Sequence, residues 1–166
     1  SNSPGRCPFN IWMLIAGILL LLSTRAICNL YGDVSKPLTL ITMLCIGIFA
    51  VGACIFTCFF SANETKDVVT TASKIHGAGS AIGFMLLLFV PLFISILSFK
   101  SGDRASGIIA VVSFVLALLC FVLFIMADKP QFQNTVIAKE GLWQRLNLLF
   151  MYLPLAYIAV RNISGG

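Results

Sequence analysis

Apolar residues run along this chain in five long, nearly unbroken stretches, separated by short clusters of charges, amides and turn residues. They extend from about Phe9 to Leu30, Leu38 to Phe60, Ile75 to Phe99, Ala105 to Ala127 and Leu142 to Val160. A helix needs about 20 largely apolar residues to cross the hydrocarbon core of a bilayer, and each stretch supplies them. A core of buried soluble helices would need polar elements to cover it, and the sequence has none. The pattern therefore predicts an all-α protein, a polytopic transmembrane helix bundle with five spans in a single domain over residues 1–166.

The connections are short: Tyr31–Pro37, Ser61–Lys74, Lys100–Arg104 and Asp128–Gly141. Connections of this size make sequential helices antiparallel neighbours and leave no room for a separate folded domain. Composition agrees. Hydrophobic residues make up 59% of the 166 positions and charged residues 10%, against about 25% charged in a soluble domain. Membrane lipids are thus the expected surroundings.

A net charge of +5 would point to nucleic acid in a soluble protein. Here the basic residues stand at helix ends, where they anchor to headgroups and set orientation, so no nucleic-acid partner is expected. One face carries Arg25, Lys36, Lys100, Arg104 and Arg161; the other carries Arg6, Lys66, Lys74, Lys129, Lys139 and Arg145. The first set is packed into two very short loops and the C-terminus, offset only by Asp33 and Asp103. The second is spread over longer loops with Glu64, Asp67, Asp128 and Glu140. The positive-inside rule then places Tyr31–Pro37, Lys100–Arg104 and the C-terminus in the cytoplasm. The polar, turn-rich opening SNSPGRCPFN would lie outside, and a segment preceding Ser1 is expected.

Cysteine and histidine usage narrows the chemistry. Cys28, Cys45, Cys54, Cys58 and Cys120 fall within apolar runs, where Cys behaves as a small hydrophobe. Only Cys7 is interfacial, and no C-x-x-C pair occurs, so neither a zinc knuckle nor a redox motif is indicated. Cys54 and Cys58, one turn apart, read as packing residues. A single histidine excludes a three-histidine metal site within the chain and bis-histidine haem ligation. No metal and no cofactor is predicted.

Polar features inside the spans are few. The third span opens KIHGAGSAIGF, where Gly79 and Gly83 stand one turn apart among small residues. In lipid such a patch lets two helix backbones approach closely. Pro91 in the same span removes a backbone donor and predicts a kink. His76 and Ser80 are one turn apart near the outer end of that helix. Polar groups at membrane depth are costly and default to functional hypotheses, although an interfacial structural role also fits His76.

The fifth span opens KEGLWQRLN. Trp143 stands at the height of an interfacial anchor, and Gln144, Arg145 and Asn147 concentrate donors within one turn. Anchoring explains Trp143 and Arg145 but does not require the two amides. Both openings follow loops on the proposed outer face. His76, Ser80, Gln144, Arg145 and Asn147 are therefore the candidate ligand-binding residues, with Asn10 at similar depth.

The order GIFAVGACIF, a polar loop, KIHGAGSAIGF and a terminal helix opening GLWQRLN resembles the domain-of-unknown-function family 998, small prokaryotic membrane proteins. The opening SNSPG with the following FNIW resembles the segment after that family's first helix. The resemblance implies a six-helix unit of which this chain carries helices two to six, located in a prokaryotic cell membrane. His76, Gly141, Gln144 and Arg145 match recurrent family positions. No activity transfers with it.

Three classes of function stay open on the sequence. A binding or transport protein would hold a small or lipid-like ligand, anionic where Arg145 meets it through its planar fork, near the outer face. Against coupled ion transport, no span carries a mid-membrane carboxylate and no inverted repeat is evident. A structural or regulatory subunit, or a homo-oligomer, would pack on a membrane partner through Gly79 and Gly83. An intramembrane hydrolase or transferase would use Ser80 as nucleophile and His76 as base. One helix turn is poor geometry for that pair, and no nucleophile-elbow sequence surrounds Ser80, which weighs against catalysis without settling whether the chain is an enzyme.

Overall fold

A computed structural model describes residues 6–55 and 71–164, and side-chain placements within them except at 6, 7, 9, 71–78, 80, 163 and 164. The fold is all-helical, with no strand among the described residues. In chain order the elements are α1 (Arg6–Tyr31), α2 (Lys36–Phe49) with a π-helical continuation (Ala50–Ile55), α3 (Thr71–Leu88), α4 (Val90–Lys100), α5 (Arg104–Ala127) and α6 (Glu140–Ser164). Single 3₁₀ turns at Pro130–Phe132 and Val136–Ala138 lie between the last two.

Among the described residues, four spans suit a bilayer by length and composition: Asn10–Tyr31, Lys36–Ile55, Ala81–Lys100 and Arg104–Ala127. Together they mark an integral membrane protein. The sequence pattern expected five such spans. Helix α6 is long enough at 25 residues but is not among the four. Gln144, Arg145 and Asn147 dilute its opening, and Arg161 and Asn162 its close.

Backbone breaks fall where side-chain chemistry dictates. The third predicted span is interrupted at Phe89, and Pro91 sits in the first turn of α4, where a missing N–H costs nothing. Between α4 and α5 the chain turns on Gly102, at φ +84°. Asp103 N donates to Ser98 O at 2.9 Å and Gly102 N to Phe99 O at 3.2 Å. This is a Schellman closure, which needs the left-handed conformation that glycine adopts without strain. Asp103 then caps α5 by accepting from Ser106 N at 3.2 Å.

The chain divides into two compact units, Ser1–Leu87 and Leu88–Gly166. Within the second, α5 buries a stripe of small residues at Ser106, Ala110, Ser113, Ala117 and Cys120. The spacing of four, three, four and three is a seam of period 3.5. Helix α6 is the principal neighbour of α5. It buries Asn147, Met151, Pro154 and Ile158 at the same spacing. Small residues on one helix let the other approach closely, the usual source of cohesion where lipid supplies no hydrophobic drive. At the α5 opening, Gly107 lies under the Phe99 ring of α4, and a Cβ there would come within 2.6 Å of it.

Candidate functional site

Within the Ser1–Leu87 unit, three helices meet through glycine. A Cβ on Gly17 of α1 would lie 3.1 Å from the Ala50 carbonyl and 3.1 Å from Cys54 Cβ. A Cβ on Gly52 would lie 2.9 Å from the Gly79 carbonyl, and one on Gly79 would lie 3.2 Å from the Gly52 carbonyl. Gly83 meets the Phe49 Cα at 3.0 Å in the same sense. At Gly52, Gly79 and Gly83 these are backbone-to-backbone approaches, which a larger residue would prevent. The π-helical segment Ala50–Ile55 places Gly52 at this crossing, with Ala53 and Cys54 also buried. Sequence reasoning singled out Gly79 and Gly83 but not their neighbours Gly17 and Gly52. GIFAVGACIF carries the small residues but shows nothing that announces a π turn.

Beside this crossing the helices separate and leave a groove of about 650 Å³. Leu21 and Thr24 of α1 form one wall and Gly79 and Ile82 of α3 the other. Leu40, Met43, Leu44, Gly47, Ile48, Val51 and Gly52 line it along α2 and its continuation. Among the described residues of this lining, Thr24 carries the one hydroxyl, and it donates to Leu21 O at 2.6 Å. The rest of the described lining is hydrocarbon and glycine backbone. Gly47 differs from the glycines at the crossing, since a Cβ built on it meets nothing within 4 Å. The volume lies in the range of about 300–1,000 Å³ in which small-molecule sites fall.

Toward the α1–α2 turn a second cavity of about 340 Å³ shares Leu40 and Met43 with the first. Its remaining lining is Cys28, Gly32, Asp33, Lys36 and Thr39. The turn is held by one carbonyl. Tyr31 O accepts from Val34 N at 3.0 Å, Ser35 N at 3.1 Å and Thr39 Oγ1 at 2.9 Å. The Thr39 bond ties the first turn of α2 back to the end of α1, fixing the backbone that carries Asp33 and Lys36. Both of those side chains are exposed.

The sequence-predicted ligand residues distribute differently from this groove. His76 and Ser80 lie on α3 in the Ser1–Leu87 unit, and their side chains fall outside the described residues. So do Cys58 and the predicted Ser61–Lys74 connection up to residue 70. Gln144, Arg145 and Asn147 belong to α6 in the other unit. Gln144 and Arg145 are exposed. Asn147 does not share their surroundings. It is fully buried, and neither its Oδ1 nor its Nδ2 has a hydrogen-bond partner. The three donors within one turn are thus divided, because the α5–α6 seam takes Asn147. Trp143 Nε1 donates to Ile137 O at 3.0 Å, so the indole fastens the preceding 3₁₀ turn to the helix opening.

At the other end of α6, Arg161 donates to the Asp103 carboxylate and Ser106 Oγ donates to the same group at 2.6 Å. Partial burial pushes the Asp103 carboxyl up. The Ser106 and Arg161 hydrogen bonds and the guanidinium charge outweigh it, so its pKa falls below the ordinary aspartate value.

A family model described as a protein of unknown function (DUF998) matches residues 1–161. No curated protein and no solved structure matches the chain.

Proposed function

The chain belongs to the DUF998 family, and on that premise we propose that it is a membrane protein that binds a lipid-like molecule in the α1–α2–α3 groove. The observation that carries this reading is the open space beside Gly47. Apolar helices in a bilayer close against one another wherever their surfaces allow, and here four glycines bring them into backbone contact a short distance away. A gap of about 650 Å³ lined by hydrocarbon is not filled by water, because an apolar site gives water no partners. An acyl chain fills it at no desolvation cost.

The dimensions support the same occupant. From Leu40 to Val51 the lining follows α2 for about 16 Å at 1.5 Å per residue. One leaflet contributes about half of a ~30 Å hydrocarbon core. The groove thus has the depth of a single leaflet, and it opens toward the Tyr31–Lys36 turn. That end is opposite to the α3 opening that bears His76, since Gly52 and Gly83 set α2 and α3 antiparallel. The positive-inside reading of the short loops that carry Lys36, Lys100 and Arg104 supports the cytoplasmic leaflet for the turn end.

A subunit role in which α3 docks a partner through Gly79 and Gly83 is less favoured, because α2 of the same chain already occupies that face.

The test is labelling by a phospholipid with a photoactivatable acyl chain, in protein reconstituted into bilayers. Peptides containing Met43, Leu44 and Ile48 are expected to label in excess of those containing the lipid-exposed Leu118, Leu119 and Val122 of α5. Equal labelling of the two sets would mean ordinary boundary lipid and would overturn the proposal.

A further inference from the structure

We infer that the molecule held in this groove is a zwitterionic phospholipid with a primary ammonium, its phosphate at Lys36 and its ammonium at Asp33. The inference rests on the groove reading above and adds the chemical class of the headgroup.

The two cavities share part of their lining. Leu40 and Met43 belong to both, so an acyl chain leaving the apolar groove at these residues enters the smaller cavity directly. That cavity lies at the α1–α2 turn, at the end of two apolar helices, which is the height of lipid headgroups. Its volume of about 340 Å³ is closed on one side by the turn that Tyr31 O organises.

The charges in that lining decide the class. Lys36 brings a compact ammonium with three donors, suited to a phosphate as a point charge. Were it alone, any anionic lipid would serve. Asp33 lines the same cavity, three residues earlier on a turn whose backbone is fixed by hydrogen bonds at 3.0 and 3.1 Å. A headgroup with only negative charge would meet that carboxylate repulsively, whereas one with both signs satisfies both side chains. A carboxylate is an acceptor only. A primary ammonium donates hydrogen bonds to it; a trimethylated one has no N–H to give. The cavity therefore discriminates among lipids of equal chain length in the order ethanolamine-type, then choline-type and glycerol-type.

Native mass spectrometry of the full chain, released from bilayers holding equal amounts of ethanolamine-, choline- and glycerol-headed phospholipids with identical acyl chains, tests this. The expected result is roughly threefold enrichment of the ethanolamine lipid over each of the others, the size that an exposed charge pair gives. Asp33→Asn should abolish the preference over choline and raise retention of the glycerol lipid. Lys36→Gln should lower retention of every phospholipid. Both side chains are exposed, so a melting curve should show the variants folded. Gly47→Leu serves as the control that separates the two readings. Retention lost in Gly47→Leu, with no headgroup preference or with the glycerol lipid preferred in the wild type, overturns the headgroup assignment and leaves the groove standing. Retention unchanged in Gly47→Leu overturns both.

Discussion

In the Leu88–Gly166 unit, α5 buries Ser106, Ala110, Ser113, Ala117 and Cys120 while α6 buries Met151, Pro154 and Ile158. In the Ser1–Leu87 unit, α1, α2 and α3 touch at Gly17, Gly52, Gly79 and Gly83 yet leave about 650 Å³ open. Both units use small residues to bring helices together. The difference lies in their placement. On α5 they recur with period 3.5 along the seam, so contact continues from turn to turn. On α2 and its continuation the close approaches collect at Phe49 to Cys54, and toward Lys36 the lining becomes Leu44, Met43 and Leu40 around a Gly47 where an added Cβ would meet nothing within 4 Å. Small residues concentrated at one crossing make a pivot beside a cleft; the same residues spread along a helix make a seam.

The largest effect expected from this comparison is at the pivot. Gly52→Leu should prevent folding in detergent, and Gly52→Ala should destabilise by about 1–3 kcal/mol, the usual cost of overpacking. The reason is that its Cβ falls 2.9 Å from a backbone carbonyl that cannot rotate away. A melting temperature unchanged in Gly52→Ala would show that the crossing has room for a methyl group.

Next in size is the amide in the seam. Asn147 is buried with both polar atoms unpartnered, a state that costs about 1–3 kcal/mol. Asn147→Leu replaces it with the same number of side-chain heavy atoms and should raise thermal stability. A loss instead would mean that Asn147 holds a polar group in the assembled protein, and would reopen it as a ligand contact.

The Asp103 cluster comes third. Asp103→Ala removes a helix cap and an ion pair, at about 1 kcal/mol for the cap. Its folded pKa is lowered, so its contribution is present above the ordinary aspartate value of about 3.9 and is lost as pH falls through the folded value. Stability measured across acidic pH should therefore fall less steeply in Asp103→Asn than in the wild type. The pair is exposed at 52% for Arg161 and 27% for Asp103, which keeps the difference small. The smallest effect is at Gly47, where alanine should stabilise by up to about 1 kcal/mol through helix propensity alone.

Much of this architecture was legible from the apolar pattern, because a chain solvated by lipid has few ways to satisfy its backbone except as helices. The break near Pro91 and the close-packing character of the Gly79–Gly83 patch followed from residue chemistry. Other features had no local signal. Gly52 matters through Gly79, 27 positions later, and a π segment of apolar residues reads like any helix. Pro154 lies inside α6 without ending it. The groove was invisible for a related reason. Leu40, Leu44 and Ile48 look the same whether they face bulk lipid or one bound chain; only the neighbouring helices distinguish the cases. Polar residues drew attention to His76, Gln144 and Arg145, while the open volume adjoins Lys36 and Asp33, whose loop suggested orientation alone.

The central claim is that the space beside Gly47 holds an acyl chain, and filling that space is the direct way to test it. Acyl-chain photolabelling of Met43, Leu44 and Ile48 should collapse in Gly47→Leu, with melting temperature preserved and labelling of Leu118 and Leu119 unchanged. Persistent labelling of those three residues in a folded Gly47→Leu protein would contradict the claim.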